Sequence, residues 1–285
     1  MRLNTLGHAA TVALYDELAL YPKPGLVSLV DTGSHSDMHA GTFLRSLFAL
    51  RHAFKHLAHL GSQHAPFSAL EQAGIEAERR MLRATQGINT HRGAIFNLGL
   101  LCAAAGALLT EGQTLAPTTL QTSLRRHWGA ALMQRRSQSR QRATHGQRVA
   151  LTLGLRSAEE EACAGMPVLF DVAVPALMAA KAAGLSPTDT RLHTFFHILA
   201  TLDDTNLAHR GGLAGLRHAQ QQARDFLADG GMHQPHALRA ATAMHHAFVA
   251  QRWSPGGSAD VLAAACWIER VCRAEPCQNS SRKIS

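Results

Sequence analysis

The run Thr194-Phe195-Phe196-His197-Ile198-Leu199-Ala200-Thr201-Leu202, followed at once by Asp203-Asp204-Thr205-Asn206-Leu207-Ala208-His209-Arg210-Gly211-Gly212, decides how the chain is read. The first nine residues read as a buried helix. If helical geometry continues, Asp203, Asn206 and Arg210 share one face at i, i+3 and i+7. Two adjacent carboxylates at the end of a buried helix repel one another and are costly to desolvate. A divalent cation with oxygen ligands would compensate them, with a phosphate completing the shell of Mg²⁺. The simpler reading is a cap: Asp opens the next helix, Arg210 pairs locally and Gly211-Gly212 ends the segment.

Outward from this stretch the same alternation recurs, apolar helical runs separated by short charged or glycine-containing loops. Leu3, Leu6, Ala10, Leu14 and Leu18 recur at helical spacing, and Tyr21-Pro22-Lys23-Pro24-Gly25 stops that helix. Further helices are predicted over about 42–60, 68–85, 91–110, 117–134, 146–154, 158–165, 168–183, 189–202, 214–228, 234–251 and 259–273. No segment alternates with period two, and no solenoid repeat is evident. The expected fold is all-α, a single compact multi-helix bundle over 1–275 with its site in interhelical loops and a frayed tail over 276–285.

Composition agrees. Hydrophobic residues make up 46% of the 285 and charged residues 17%, a globular and not a disordered balance. Aromatics are only 5%, and abundant alanine and leucine favour close-packed helices. The formal charge of +8 and a pI ≈ 9.8 point to anionic substrates or partners. The basic run 134–148 lacks interleaved aromatics, so a solvated loop or an electrostatic funnel is expected there and not a nucleic-acid surface. Five cysteines without a CxxC pair read as reduced, buried thiols. The N-terminus lacks an apolar signal region, and the run Ala94 to Leu109 is short for a membrane span, so a cytoplasmic protein with no membrane partner is expected.

Several loops carry candidate chemistry. Lys23 between prolines sits on a stiff backbone suited to presenting a cation to phosphate, or else marks a plain turn. Asn89-Thr90-His91-Arg92-Gly93 opens an apolar helix, and a helix N-terminus beside an Arg is a ready phosphate site. In Ser254-Pro255-Gly256-Gly257-Ser258-Ala259-Asp260, Gly256 and Gly257 precede another helix start and suggest an anion nest, with Asp260 in the first turn. His193 and His197 have zinc-ligand spacing without the intervening Glu of a zinc protease, and neither GxGxxG nor GxxxxGKS occurs.

Seven blocks then carry a resemblance: Tyr-Pro-Lys-Pro-Gly-Leu-Val at 21–27, Gly-Ser-His-Ser-Asp-Met at 33–38, Asn-Thr-His-Arg-Gly-Ala-Ile-Phe at 89–96, Thr-His-Gly at 144–146, Glu-Ala-Cys-Ala-Gly-Met-Pro at 161–167, Asp-Asp-Thr-Asn-Leu-Ala-His-Arg-Gly-Gly at 203–212 and Ser-Pro-Gly-Gly-Ser-Ala-Asp at 254–260. In this order they resemble the triphosphoribosyl-dephospho-coenzyme A synthase family, and the basic, alanine-rich composition resembles its malonate decarboxylase branch more than its citrate lyase branch. The resemblance implies an all-helical transferase that uses ATP and 3′-dephospho-coenzyme A, releases adenine, and supplies the prosthetic-group precursor of an acyl carrier protein through a prosthetic-group transferase. It implies Mg²⁺ on the triphosphate, with Asp37, Asp203, Asp204 and Asp260 as candidate ligands. Asp203, Asp204 and Glu161 are the implied catalytic carboxylates, Asp204 foremost as base, and substitution of Asp203 or Asp204 by Asn is expected to abolish turnover with the fold intact. Lys23, Arg92 and Arg210 are implied phosphate clamps, His35, His91 and His145 contacts to the leaving base, and Asn206, Gly256 and Gly257 further substrate contacts. Arg156 is displaced from the family's compact Arg-Gly-Glu run, and Asp31 stands apart from the usual position after Val27; neither is assigned. A helical Mg²⁺ enzyme of the ADP-ribosylglycohydrolase or isoprenoid-synthase kind is the alternative, and a basic scaffold protein a third reading.

Overall fold

The computed structural model describes residues 3–138 and 145–272. Among these there are thirteen α-helices and no strand. The chain opens with α1 (Leu3–Ala19), α2 (Ala40–Leu50), α3 (Ala53–Ser62), α4 (Phe67–Ala84), α5 (Arg92–Thr110) and α6 (Pro117–Gln138). It continues through α7 (His145–Leu153), α8 (Ala158–Cys163), a π-helical turn (Val168–Ala173), α9 (Val174–Ala182), α10 (Pro187–Thr201) and α11 (Thr205–Ala228). A 3₁₀ turn (Gly231–His233), α12 (Ala237–Ala250) and α13 (Gly256–Val271) complete it. The all-α expectation holds.

Two helices form the centre. α5 is buried from Leu98 to Leu108 without a break. It is long and apolar enough to cross a membrane, yet here it is an interior helix. Its alanines and glycines let α3 approach backbone to backbone: a Cβ on Gly61 would stand 2.0 Å from Ala103 O, and one on Gly106 2.0 Å from Ala58 O. Fully buried Phe54, Leu57, Leu98 and Leu101 fill the space beside these contacts. α13 is the second central helix, packed on α1, α5 and α10, and its Trp267 indole donates to Leu6 O at 3.1 Å.

Two predicted elements differ in outline. The helix expected over 42–60 breaks at Arg51-His52, so α2 and α3 are separate. Of the two readings of the stretch after Leu202, the cap is the one the structure shows, and helical geometry does not continue through Asp203 and Asp204. Leu202 is extended (ψ 134) and Asp204 is the N-cap of α11, so Asp203 lies in the corner between two helices. Asp204 and its neighbour therefore do not share a helical face with Arg210. The prediction for 276–285 and the Thr144 of the fourth block lie outside the described residues.

Candidate active site

Three helix N-termini, those of α5, α11 and α13, converge at one end of the bundle, and each presents unpaired backbone N–H groups. Protein carboxylates answer them. Asp204 is 1% exposed, and its Oδ1 accepts from Asn206 N (3.0 Å) and Leu207 N (3.1 Å) in α11. Its Oδ2 accepts from Ser258 N (2.7 Å) and Ser258 Oγ (2.9 Å) in α13. Those four bonds use about as many acceptor sites as a carboxylate has. Asp204 thus clasps two helices with no lone pair left for a metal or a hydroxyl. Burial pushes its carboxyl above the usual range, against the pull of the Leu207 and Ser258 donors.

Asp260 does the same for α5. It is half-buried, accepts from the Ala94 N–H, and lies so close to Gly93 that a Cβ there would stand 1.9 Å from Asp260 Oδ2. Burial, then the negative charges of Glu17 and Asp204, push the Asp260 carboxyl well above the ordinary value. The anion expected at the Gly256-Gly257 start of α13 is likewise internal. Gly257 Cα faces the Asp204 carboxylate, where a Cβ would come within 3.2 Å, and Gly256 lies against the Asn206 amide.

Beneath these carboxylates lies Lys23, 0% exposed and paired with the buried Glu17. Burial pulls its ammonium below the usual lysine value while Glu17 pulls it back up. Lys23 is therefore an interior ion pair in this structure, not a cation held out to solvent. His91 is also interior: Ser46 Oγ lies 2.6 Å from Nδ1, and burial with the nearby Lys23 charge holds the imidazole down at about 3. Its Nε2 and Thr90 Oγ1 are buried without a protein partner. Asn89 Oδ1 accepts the Arg92 N–H at 3.2 Å. Arg92 itself is half-exposed and held by Glu78 of α4, with Nε 2.7 Å from Oε1.

The open part of the site lies beside the 252–258 turn. A cavity of about 440 Å³, within the range of small-molecule sites, is lined by Gly33, Ser34, His35, Asp37, Arg210 and Arg252, among others. Arg210 ties its walls together, donating from Nη1 to Ser34 O and Arg252 O, both 3.2 Å, and from Nη2 to His35 Nδ1 at 3.2 Å. His35 Nε2 in turn contacts Ser254 Oγ at 2.8 Å. Burial and then the Arg210 charge lower the His35 value, and exposed Asp37, 3.6 Å from Nδ1, opposes them. Arg210 thus ties its own block to the 33–38 block and to the Arg252 carbonyl, and through His35 to Ser254, instead of pairing locally. At Gly212 (φ 64, ψ −172) the backbone leaves helical geometry, so the glycine pair ends the first helical turns of α11 as the cap reading expects, and the helix resumes beyond a kink.

A polar cluster outside the cavity lining runs from Asp203 to Glu161. Arg156 N donates to Asp203 Oδ2 at 3.1 Å while its guanidinium pairs with Glu161 Oε1 at 3.0 Å. Glu161 Oε2 also accepts Val168 N at 3.2 Å, opening the π-helical turn. Arg156, unassigned from sequence, is the link between the two carboxylates. Asp31 also gains a role. It accepts from Gly33 N (2.9 Å) and meets buried His245 Nε2 (3.0 Å), whose Nδ1 contacts Lys23 O (2.8 Å) and pins the 22–37 loop. The side chain of His145 lies outside the described residues.

Sequence reasoning missed Arg252, Arg217 and His245. Arg252 adopts a left-handed φ of 56 after α12, a conformation with no side-chain signature, and this turn carries it to the cavity. Arg217 reaches Asp203 Oδ1 at 3.4 Å from one turn beyond the kink. Among the described residues, Asp37, Asp203, Asp204 and Asp260 do not gather three carboxylates at metal-ligating range.

The CitG family model, described as ATP:dephospho-CoA triphosphoribosyl transferase, matches residues 3–278. A protein of Acinetobacter calcoaceticus named "Probable 2-(5''-triphosphoribosyl)-3'-dephosphocoenzyme-A synthase" is 36% identical over 271 residues, 95% of this chain and 91% of that one. A protein of the same name from Vibrio cholerae serotype O1 is 36% identical over 271 residues, covering 92% and 86%. A crystal structure from Archaeoglobus fulgidus carrying a triphosphoribosyl-dephospho-CoA synthase name is similar at 12% identity and a TM-score of 0.49, over 80% of this chain and 99% of that one. The chain belongs to the ATP:dephospho-CoA triphosphoribosyl transferase family.

Proposed function

We propose that the protein transfers the 5-triphosphoribosyl group of ATP to the 2′-hydroxyl of 3′-dephospho-coenzyme A and releases adenine. The 2′-oxygen forms a bond to C1′ as the C1′–N9 bond breaks, and the hydroxyl proton is matched by the one adenine takes up. This is glycosyl transfer with an oxocarbenium-like transition state, so the triphosphate is held and not cleaved. The observation that carries the reading is Arg210 of the 203–212 block, which bonds Ser34 and His35 of the 33–38 block and the Arg252 carbonyl just before the 254–260 block, around a cavity of substrate size.

In this reading Arg210, Arg252 and His35 bind phosphate oxygens in the cavity, with Arg92 further along. Of the four aspartates, Asp37 fits Mg²⁺, because it is exposed at the cavity and offers hard oxygen beside the phosphates. Asp203 is partly open as a second ligand or as the base, since each of its oxygens accepts a single donor. Asp204 does not fit either role, being saturated, and is instead the residue that positions the wall. Mg²⁺ would neutralise the triphosphate charge. Asp260 and Glu161 hold helix ends at the site, and the buried His91 Nε2 is the polar atom left for the base. The surroundings that supply the substrates are taken to be cytoplasmic, and the carrier served is that of malonate decarboxylase or of citrate lyase.

Incubation with ATP, Mg²⁺ and 3′-dephospho-coenzyme A should release free adenine only when both substrates are present, and EDTA should stop it. The product should then load one of the two apo-carriers through its transferase. ADP or pyrophosphate in place of adenine, or adenine without the acceptor, would refute the assignment. Arg252→Ala is expected to raise KM for ATP about tenfold, the cost of one charge-assisted phosphate contact of roughly 1.5 kcal/mol.

A further inference from the structure

At the far end of α5, about 28 Å from Arg92 at 1.5 Å per residue, three side chains from different elements meet. His64 follows the end of α3, Glu111 follows the end of α5 and His127 lies on α6. One ligand atom from each can be chosen so that all lie within 4.8 Å of one another. His127 Nε2 is 2.9 Å from Glu111 Oε1, and His64 Nδ1 is 4.0 Å from the same oxygen. The two imidazoles stack with centroids 4.8 Å apart and planes at 26°.

The Arg126 guanidinium intrudes on this trio, with Nη2 against Glu111 Oε1 and 2.9 Å from His127 Nε2. The contacts around His127 Nε2 cannot all be hydrogen bonds. With a proton on Nε2 it donates to Glu111 but meets the guanidinium N–H donor to donor. With a lone pair there, it accepts from Arg126 but faces the carboxylate acceptor to acceptor. The imidazolium repeats the first conflict. A small divalent cation at that point satisfies both nitrogen and oxygen at once, and the guanidinium already marks the position as attractive to positive charge.

We propose that His64, Glu111 and His127 bind a zinc-class divalent ion that displaces the Arg126 guanidinium. Two imidazoles and a carboxylate are ligands of Zn²⁺ and not the oxygen-only set that Mg²⁺ takes. Bonds of about 2.0–2.1 Å in a tetrahedron place ligands roughly 3.3 Å apart, a spacing that small side-chain rotations reach here. The side chain of His64 is 42% exposed, which leaves an entry path and a solvent-facing fourth position. Such an ion would staple the ends of α3 and α5 to α6, remote from the phosphate cavity.

The test uses metal-free full-length protein titrated with Co²⁺ as a spectroscopic substitute, then with Zn²⁺. One equivalent of Co²⁺ should give tetrahedral visible absorption that Zn²⁺ abolishes, and Zn²⁺ should raise the melting temperature until EDTA is added. Glu111→Gln and His127→Ala should each weaken binding by about tenfold or more, and His64→Ala, at an exposed position, serves should His127→Ala fail to fold. Arg126→Gln should tighten binding several-fold. His193→Ala, which breaks another close histidine pair (Nε2–Nε2 3.2 Å to His197), should leave binding unchanged. Absence of binding, binding insensitive to the Glu111 and His64 variants, or loss in His193→Ala instead would overturn the proposal.

Discussion

Asp204 shows how one side chain can be read correctly as special and wrongly as free. Its carboxylate accepts from two helices at once, so its removal strands donors inside the protein. Asp204→Asn keeps the shape but turns one oxygen into an amide that opposes the Ser258 N–H. Loss of about 2–3 kcal/mol of stability is expected in urea unfolding, together with lost activity. Asp203→Asn, by contrast, should lower kcat with stability changed by less than about 1 kcal/mol, because that carboxylate is partly exposed. Equal stability loss in the two variants would show that the four-bond clasp is not what holds α11 to α13. His91 gives a second residue-scale expectation. Its folded value of about 3 lies below the ordinary 6.5, so the fold keeps it neutral and the unfolded chain takes up the proton first. Its contribution is full above pH 6.5 and is lost as pH falls toward about 3, at up to ~1.4 kcal/mol per pH unit. His91→Gln should flatten that part of the stability–pH curve.

At the scale of elements, most boundaries were legible because apolar spacing and stop signals coincide. α1 ends before Pro22-Lys23-Pro24, and α10 opens with Pro187 behind a Ser186 cap that accepts Asp189 N at 3.1 Å. One boundary was not legible. The break between α2 and α3 falls at Arg51-His52, which carry no proline or glycine, and it exists so that α3 can lie against α5. The glycine pair at 211–212 does interrupt the helix as expected, at a backbone conformation only glycine adopts readily. Gly212 has open space around its Cα, so any side chain there suffers from backbone conformation alone. Gly212→Ala is expected to cost about 1–2 kcal/mol, and by swinging the first turns of α11 it should raise KM for ATP. A melting temperature equal to that of the parent would mean that the kink is not needed. Gly106→Val, by contrast, pushes against the Ala58 carbonyl between α3 and α5 and should leave little folded protein.

At the scale of the molecule, the charge of +8 is a long-range attraction for a triphosphate. KM for ATP should therefore rise as salt increases from about 0.05 to 0.5 M, while kcat changes little. The Arg252→Ala variant should show a shallower slope. A salt-independent KM would place recognition on uncharged contacts. Within the sequence itself, the helical periodicities, the scarcity of aromatics and the seven blocks determined the all-α class and the family, because those signals are local or ordered along the chain. The tertiary structure alone decided which charges were available. Whether Asp204 or Asp260 faces a substrate depends on Ser258 and Ala94, residues distant in sequence that reach them only through packing, and Lys23 turns inward to Glu17 because the chain folds back after α1. A desolvated charge takes the nearest partner of opposite sign or the nearest row of backbone N–H groups, and no pattern of neighbouring residues records which one the fold will bring.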